Sequence, residues 1–167
     1  AQLSPLHRID KDTAGLVLFS VNPQMRNVYQ ALFRERQVTK HYHAIARWNA
    51  ALTYSLVCRS RLVEDAQFFR TQEVEGTANS ETVVNVLAHD GEKALYDLQP
   101  ITGKKHQLRV HMAQLGMPIA NDVLYPSVRG REANDFSQPL QLLAKSLAFV
   151  DPITQVPRYF ESQQTLN

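Results

Sequence analysis

The spacing of apolar positions divides the chain into a strand-rich middle flanked by helix-bearing ends. Residues 16–20, Leu-Val-Leu-Phe-Ser, are a continuous apolar run and predict a short buried strand. Asn22-Pro23 then supplies an N-cap followed by proline at the first helical position. Met25, Val28, Tyr29 and Leu32 recur at helical spacing, so 23–36 is expected to be an amphipathic helix with Arg26, Arg34 and Arg36 on its wet side. From His41 to Pro100 the pattern becomes strand-like. The segments 41–48, 54–63, 67–74, 81–88 and 93–99 are rich in Val, Thr, Tyr and Phe and are broken by Gly, Asp and Asn. Helical spacing returns over 106–115, with Leu108, Met112 and Leu115 on one side; Gly116 supplies a stop and Pro118 follows it. Residues 121–139 read as loop and 140–149 as a buried strand. Strands outnumber helices and do not alternate regularly with them. The expected fold is therefore α+β, a mixed, mostly antiparallel sheet with flanking helices, and not a doubly wound one. No repeat or linker interrupts the chain, so residues 1–167 are expected to form a single domain.

Composition narrows the function classes. A chain of 167 residues with 44% hydrophobic positions buries roughly 70% of its unfolded surface and needs no covalent staples. Its single cysteine excludes an intramolecular disulfide and a Cys-rich zinc module. No apolar run approaches the roughly 20 residues of a membrane span, and no signal-peptide pattern is present. A soluble, cytoplasmic, monomeric protein is expected. The net charge of +2 hides an uneven distribution. Residues 1–50 hold seven Lys/Arg against three Asp/Glu, residues 51–100 four against eight, and residues 101–150 six against three. Two basic segments flank an acidic one. Brought together, they would make a positive face suited to a polyanion; kept apart, they are ordinary solvated surface.

Three clusters carry candidate chemistry. The first is His7-Arg8-Ile9-Asp10-Lys11-Asp12-Thr13-Ala14-Gly15. In an extended backbone Asp10 and Asp12 point to one side. Paired carboxylates suit acid–base work as in glycoside hydrolysis, and a lone ionised Asp beside a cation suits covalent attack; the plain alternative is a charged surface turn. The second is Thr39-Lys40-His41-Tyr42-His43-Ala44, where Tyr42 is either half-buried packing or a platform for a nucleic-acid base. The third is Gly103-Lys104-Lys105-His106-Gln107-Leu108-Arg109-Val110-His111. Basic side chains around a helix start suit phosphate contacts, and equally a solvated helix start. It is not a P-loop, because Leu98 stands five residues before Gly103 and no Ser or Thr follows the lysines. His106 and His111 are off the i, i+4 spacing of a zinc pair, so no metal is expected.

Taken in order, these clusters resemble the RluA-type RNA pseudouridine synthases. The resemblance continues through Leu115-Gly116-Met117-Pro118-Ile119 and Asp122-Val123-Leu124-Tyr125-Pro126, and ends in Leu142-Leu143-Ala144 with Leu147-Ala148-Phe149. It implies the pseudouridine synthase catalytic fold. It also implies Asp10 as nucleophile, Arg8 as the side chain that enters RNA and helps displace the target base, and Tyr42 as the ring that stacks on the flipped uracil and assists proton transfer. Arg109 would pair with Asp10, and Leu142 or Leu143 would line the uracil pocket. Lys104, Lys105, Arg34 and Arg36 are candidate phosphate contacts. The departures are a missing Lys-Pro-x-Gly strand ahead of residue 7, which reads as a fragment lacking upstream strands, and Lys105 where Thr is common. No S4-like RNA-binding module is visible.

The reaction so implied moves uracil from an N1 to a C5 glycosidic link. Nothing is oxidised, so no cofactor or metal is expected; the partner is RNA, ribosomal or transfer. Two other functions compete. One is a catalytically silent RNA-binding protein on the same fold, against which the intact Asp10, Tyr42 and Arg109 set argues. The other is a carbohydrate hydrolase using Asp10 and Asp12, against which the single Trp48 and the basic segments argue.

Overall fold

The computed structural model describes residues 2–52, 55–66, 69–130 and 135–167. The chain opens with three two-residue strands, β1 (Ser4–Pro5), β2 (Ala14–Gly15) and β3 (Phe19–Ser20). A 3-10 turn (Pro23–Met25) leads into α1 (Arg26–Arg34), and Asn22 Oδ1 caps the turn by accepting from Gln24 N at 3.0 Å. The strand-rich middle is β4 (Thr39–Arg47), β5 (Leu56–Glu64), β6 (Thr71–Val74), β7 (Ser80–His89) and β8 (Lys93–Pro100). Then follow α2 (Gln107–Gln114), β9 (Leu142–Val150) and β10 (Pro157–Glu161). The main sheet runs β10-β9-β4-β8-β7-β5-β6 with every neighbour antiparallel, and β2 adds a short parallel pairing to β9. The mixed, mostly antiparallel sheet expected from the sequence is the sheet observed. The strands expected at 54–63 and 67–74 start on Tyr54 and on Gln67-Phe68, and the 121–139 loop includes 131–134; those positions lie outside the described residues.

Period-2 alternation makes one face of the sheet apolar. Tyr42 and Ala44 of β4 stand opposite Leu98 and Tyr96 of β8, and Val84 and Val86 of β7 continue the row. Leu108 and Met112 of α2 close over this face and share a core with Ala44, Tyr96, Leu98 and Leu142. Between β4 and β9 the register slips: Tyr42 faces Ala144, but His41 faces Ser146. This β-bulge inserts Lys145 and puts Leu147 back on the face of Leu142 and Ala144. Leu147 packs there with Leu32 and Val38 around α1. The two helices therefore cover neighbouring parts of one sheet face and leave a gap between them.

The structure departs from the sequence pattern in four places. Residues 16–20 are not one buried strand: pairing occurs on either side of Leu16-Val17-Leu18, and Phe19 is exposed. Gly15, at φ +104°, turns the chain, and Leu16 and Leu18 serve the α1 core as packing rather than as strand residues. The 23–36 helix is a 3-10 turn plus a shorter α-helix, with Val28 exposed and Arg36 left-handed at φ 58°. Helix α2 has no solvated start: residues 107–112 are all buried. Strand β10 was not anticipated, since all five of its residues are exposed and show no alternation. Among the described residues no helix is long and apolar enough to cross a membrane.

Candidate active site

The gap between the helices is a cleft of about 360 Å³. Its rim starts at the first motif. His7 stacks on Phe33 with ring centroids 4.4 Å apart, and its Nε2 accepts from Leu18 N at 3.0 Å. Burial lowers the His7 pKa, so the ring stays neutral and its hydrogen sits on Nδ1. With His7 anchored, Arg8 stands exposed at the mouth. Thr13 N donates to Asp10 O at 3.0 Å, closing a turn over residues 10–13. The extended backbone assumed for Asp10 and Asp12 is therefore absent: Asp10 lines the cleft and Asp12 does not. The turn is seated by Gly15, where a Cβ would overlap the Ala144 carbonyl oxygen and stand 2.8 Å from its nitrogen. Only glycine lets β2 lie this close against β9.

Tyr42 comes from the sheet floor, next to the bulge that re-aims β9. Burial, and secondarily the charge of Asp10, push its phenol up to about 12. It is a hydroxyl that keeps its proton at neutral pH. Register separates Leu142 from Leu143. Leu142 pairs with Ala44, on Tyr42's face, and lines the cleft; Leu143 pairs with His43 and points to the other face. Leu108 of α2 completes the apolar wall.

The two basic segments do meet here. Arg8 and Lys40 come from the first, Lys104 and Lys105 from the second, and all four line the cleft. Nothing in its motif singles out Lys40; burial, and Arg36 beside it, lower its pKa. The lysine loop is held by buried Gln107, whose Oε1 accepts from Thr102 Oγ1 at 2.6 Å and Lys104 N at 3.1 Å while its Nε2 donates to Glu81 O at 2.8 Å. Arg34 points away, exposed and 3.5 Å from Glu35.

Arg109 is where the expected geometry fails. Its guanidinium does not pair with Asp10. It grips Asp122 with two bonds, Nη2 to Oδ1 at 2.6 Å and Nε to Oδ2 at 2.8 Å, and it is 2% exposed. Burial works against this charge and the Asp122 carboxylate outweighs it. Asp122 Oδ1 also accepts from Leu124 N at 2.8 Å and Tyr125 N at 3.1 Å, and Arg109 lies over the Tyr125 ring, 5.4 Å from its centroid. The titratable side chain beside Asp10 is His106, whose Nε2 stands 4.0 Å from Oδ1 and whose pKa burial lowers. His106 caps α2 in the left-handed conformation, φ 53°, and its Nδ1 is 2.9 Å from the Tyr125 hydroxyl. His106, Asp122 and Tyr125 all sat in quoted motifs without a role. The signal for Asp122 is Arg109 itself, since a charge inside a buried helix requires a buried partner. Among the described residues no group of three or more His, Cys, Asp or Glu side chains is placed to hold a metal ion.

The model of the RNA pseudouridylate synthase family matches residues 1–114. The chain is 36% identical over 154 residues to the dual-specificity RNA pseudouridine synthase RluA of Pasteurella multocida, an alignment covering 90% of this chain and 68% of that protein. It is 34% identical to tRNA pseudouridine synthase C of Vibrio cholerae, over 92% of this chain and 69% of that one. Among solved structures, human RNA pseudouridylate synthase domain containing 1 superposes with a TM-score of 0.79 at 25% identity, covering 99% of this chain and 76% of the other.

Proposed function

The chain belongs to the RNA pseudouridylate synthase family, and from that premise we propose that it converts uridine to pseudouridine in structured RNA, with Asp10 as nucleophile in the cleft between α1 and α2. The observation that carries this reading is convergence. Asp10, Tyr42 and Leu142 are far apart in sequence, yet they line one cleft with four basic side chains. A carboxylate in a cleft lined by cations suits an anionic strand whose reacting base has been turned out of its stack.

The chemistry asks for three things. A nucleophile detaches the base, a pocket holds it while it rotates, and the C5 proton leaves as the C5–C1′ bond replaces the N1–C1′ bond. Asp10 attacks either C1′ or C6. Tyr42 and Leu142, on one face of neighbouring strands, offer a surface for a planar ring, and the Tyr42 hydroxyl, kept protonated, acts as a donor rather than a resident base. Arg8 at the mouth fills the space that the flipped base leaves, offsetting part of the few kcal/mol of unstacking. Lys104 and Lys105 take flanking phosphates. Arg109 acts at one remove, through Asp122.

The relatives named above act on transfer RNA or carry dual specificity, so both transfer and ribosomal RNA are the substrates to assay. Asp10→Asn is expected to abolish tritium release from RNA labelled at uracil C5 and to leave RNA affinity within about threefold, because one carboxylate among several cations adds little to backbone binding. Turnover near that of the unmodified protein in Asp10→Asn would refute the assignment.

A further inference from the structure

We propose that His106, held as the Nε2–H tautomer by the Tyr125 hydroxyl, is the positioning residue for the Asp10 carboxylate. The inference rests on the reading of Asp10 as nucleophile and adds the group that orients it. Among the described residues no donor lies within hydrogen-bond distance of the Asp10 carboxylate; the titratable group that stands against it is His106, with Nε2 at 4.0 Å.

The tautomer follows from donor counting. Tyr125 Oη accepts from Thr71 N at 2.7 Å and lies 2.9 Å from His106 Nδ1. Among the described residues no other acceptor stands against that hydroxyl, so its hydrogen goes to Nδ1. Nδ1 is then an acceptor, and the imidazole hydrogen sits on Nε2, facing Asp10. The opposite tautomer would aim a lone pair at a carboxylate and leave the phenol hydrogen without an acceptor. Asp10, Arg109, Lys105 and Asp122 are the charged groups acting on the ring, and Tyr125 meets it edge-on at 5.7 Å.

The rest of the network serves this placement. Asp122 fixes the backbone of Tyr125 and is itself fixed by Arg109. His106 is left-handed at φ 53° ahead of α2, and its Nε2 stands 4.0 Å from Asp10. At 4.0 Å the contact is longer than a hydrogen bond, and closure of about 1 Å on substrate binding makes it one. The Nε2–H then favours one carboxylate rotamer and leaves the second oxygen free to attack.

Asparagine is the test substitution, because it tolerates the left-handed conformation and is too short to reach Asp10. His106→Asn is expected to lower kcat between about tenfold and a hundredfold, the worth of one hydrogen bond to a charge, with KM for RNA within about threefold. In the unmodified full chain with 15N-labelled histidine, two-bond 1H–15N spectra should show His106 as the Nε2–H tautomer, the His106 signals being those lost in His106→Asn. Tyr125→Phe should abolish that tautomer preference and lower kcat in the same direction. A kcat for His106→Asn within twofold of the unmodified protein, or an Nδ1–H tautomer in the unmodified protein, would overturn the inference. Full activity in Asp10→Asn would instead overturn the nucleophile reading, so the two failures are distinguishable.

Discussion

Arg109→Met separates a guanidinium that acts on the reacting groups from one that holds the scaffold. The structure makes it the second kind. Arg109 and Asp122 side chains are 2% and 1% exposed, and the pair is bidentate at 2.6 and 2.8 Å. Removing one partner of a buried ion pair costs about 3–5 kcal/mol, because the other charge stays behind uncompensated. Here the low end applies, since Asp122 keeps two backbone N–H donors, from Leu124 and Tyr125. About 3 kcal/mol corresponds to roughly 6–12 °C of Tm for a domain of this size. Arg109→Lys restores the charge but not the fork, and should recover part of that loss. The double variant Arg109→Met/Asp122→Leu should be more stable than the sum of the single losses implies, by more than about 1 kcal/mol, as expected for groups in contact. The assays are thermal unfolding by circular dichroism and kcat measured well below the lowered Tm. An Arg109→Met protein with unchanged Tm and abolished kcat would refute the reasoning, and would mean that Arg109 leaves Asp122 to act on Asp10 or the substrate.

His111 is fully buried against Thr82, Ser60 and Ser80, and burial pushes it down to about 4. An unfolded-state His titrates near 6.5, so the unfolded chain binds the extra proton first. This stability is complete above about pH 6.5 and is lost as pH falls toward about 4, by up to roughly 3 kcal/mol. His111→Gln should flatten the stability-versus-pH slope between pH 5 and 6.5, and an unaltered slope would contradict this origin. Gly15→Ala forces a Cβ into the Ala144 backbone at φ +104°. It should shift the Asp10 turn and lower kcat more than it lowers RNA affinity; crystals of the variant with the turn unmoved would count against the seating role.

Local pattern was enough for the fold class. Alternation from His41 to Pro100 and helical spacing at both ends mark a sheet with few helices, because both periods are properties of a backbone that buries one face. The motif at residues 7–16, Tyr42 and the lysine loop were also legible, since chemistry-bearing side chains in short, fixed runs need no tertiary information to be noticed. Strand β10, with all five residues exposed, carries no period to read, and the run at 16–20 mimics a strand because apolar residues in a bend and in a strand look alike. What required the tertiary structure was pairing. Leu142 and Leu143 are equivalent in sequence and differ only in parity against β4, on either side of which the cleft is present or absent. Arg109 had two carboxylates within reach of a plausible role, Asp10 ninety-nine positions away and Asp122 thirteen positions away. The loop after α2 places Asp122 against it in the buried interior, where a charge must be met by the partner whose geometry is complete. That choice leaves Asp10 to His106, the left-handed residue just ahead of α2, a neighbour 96 positions away that only the folded chain brings close.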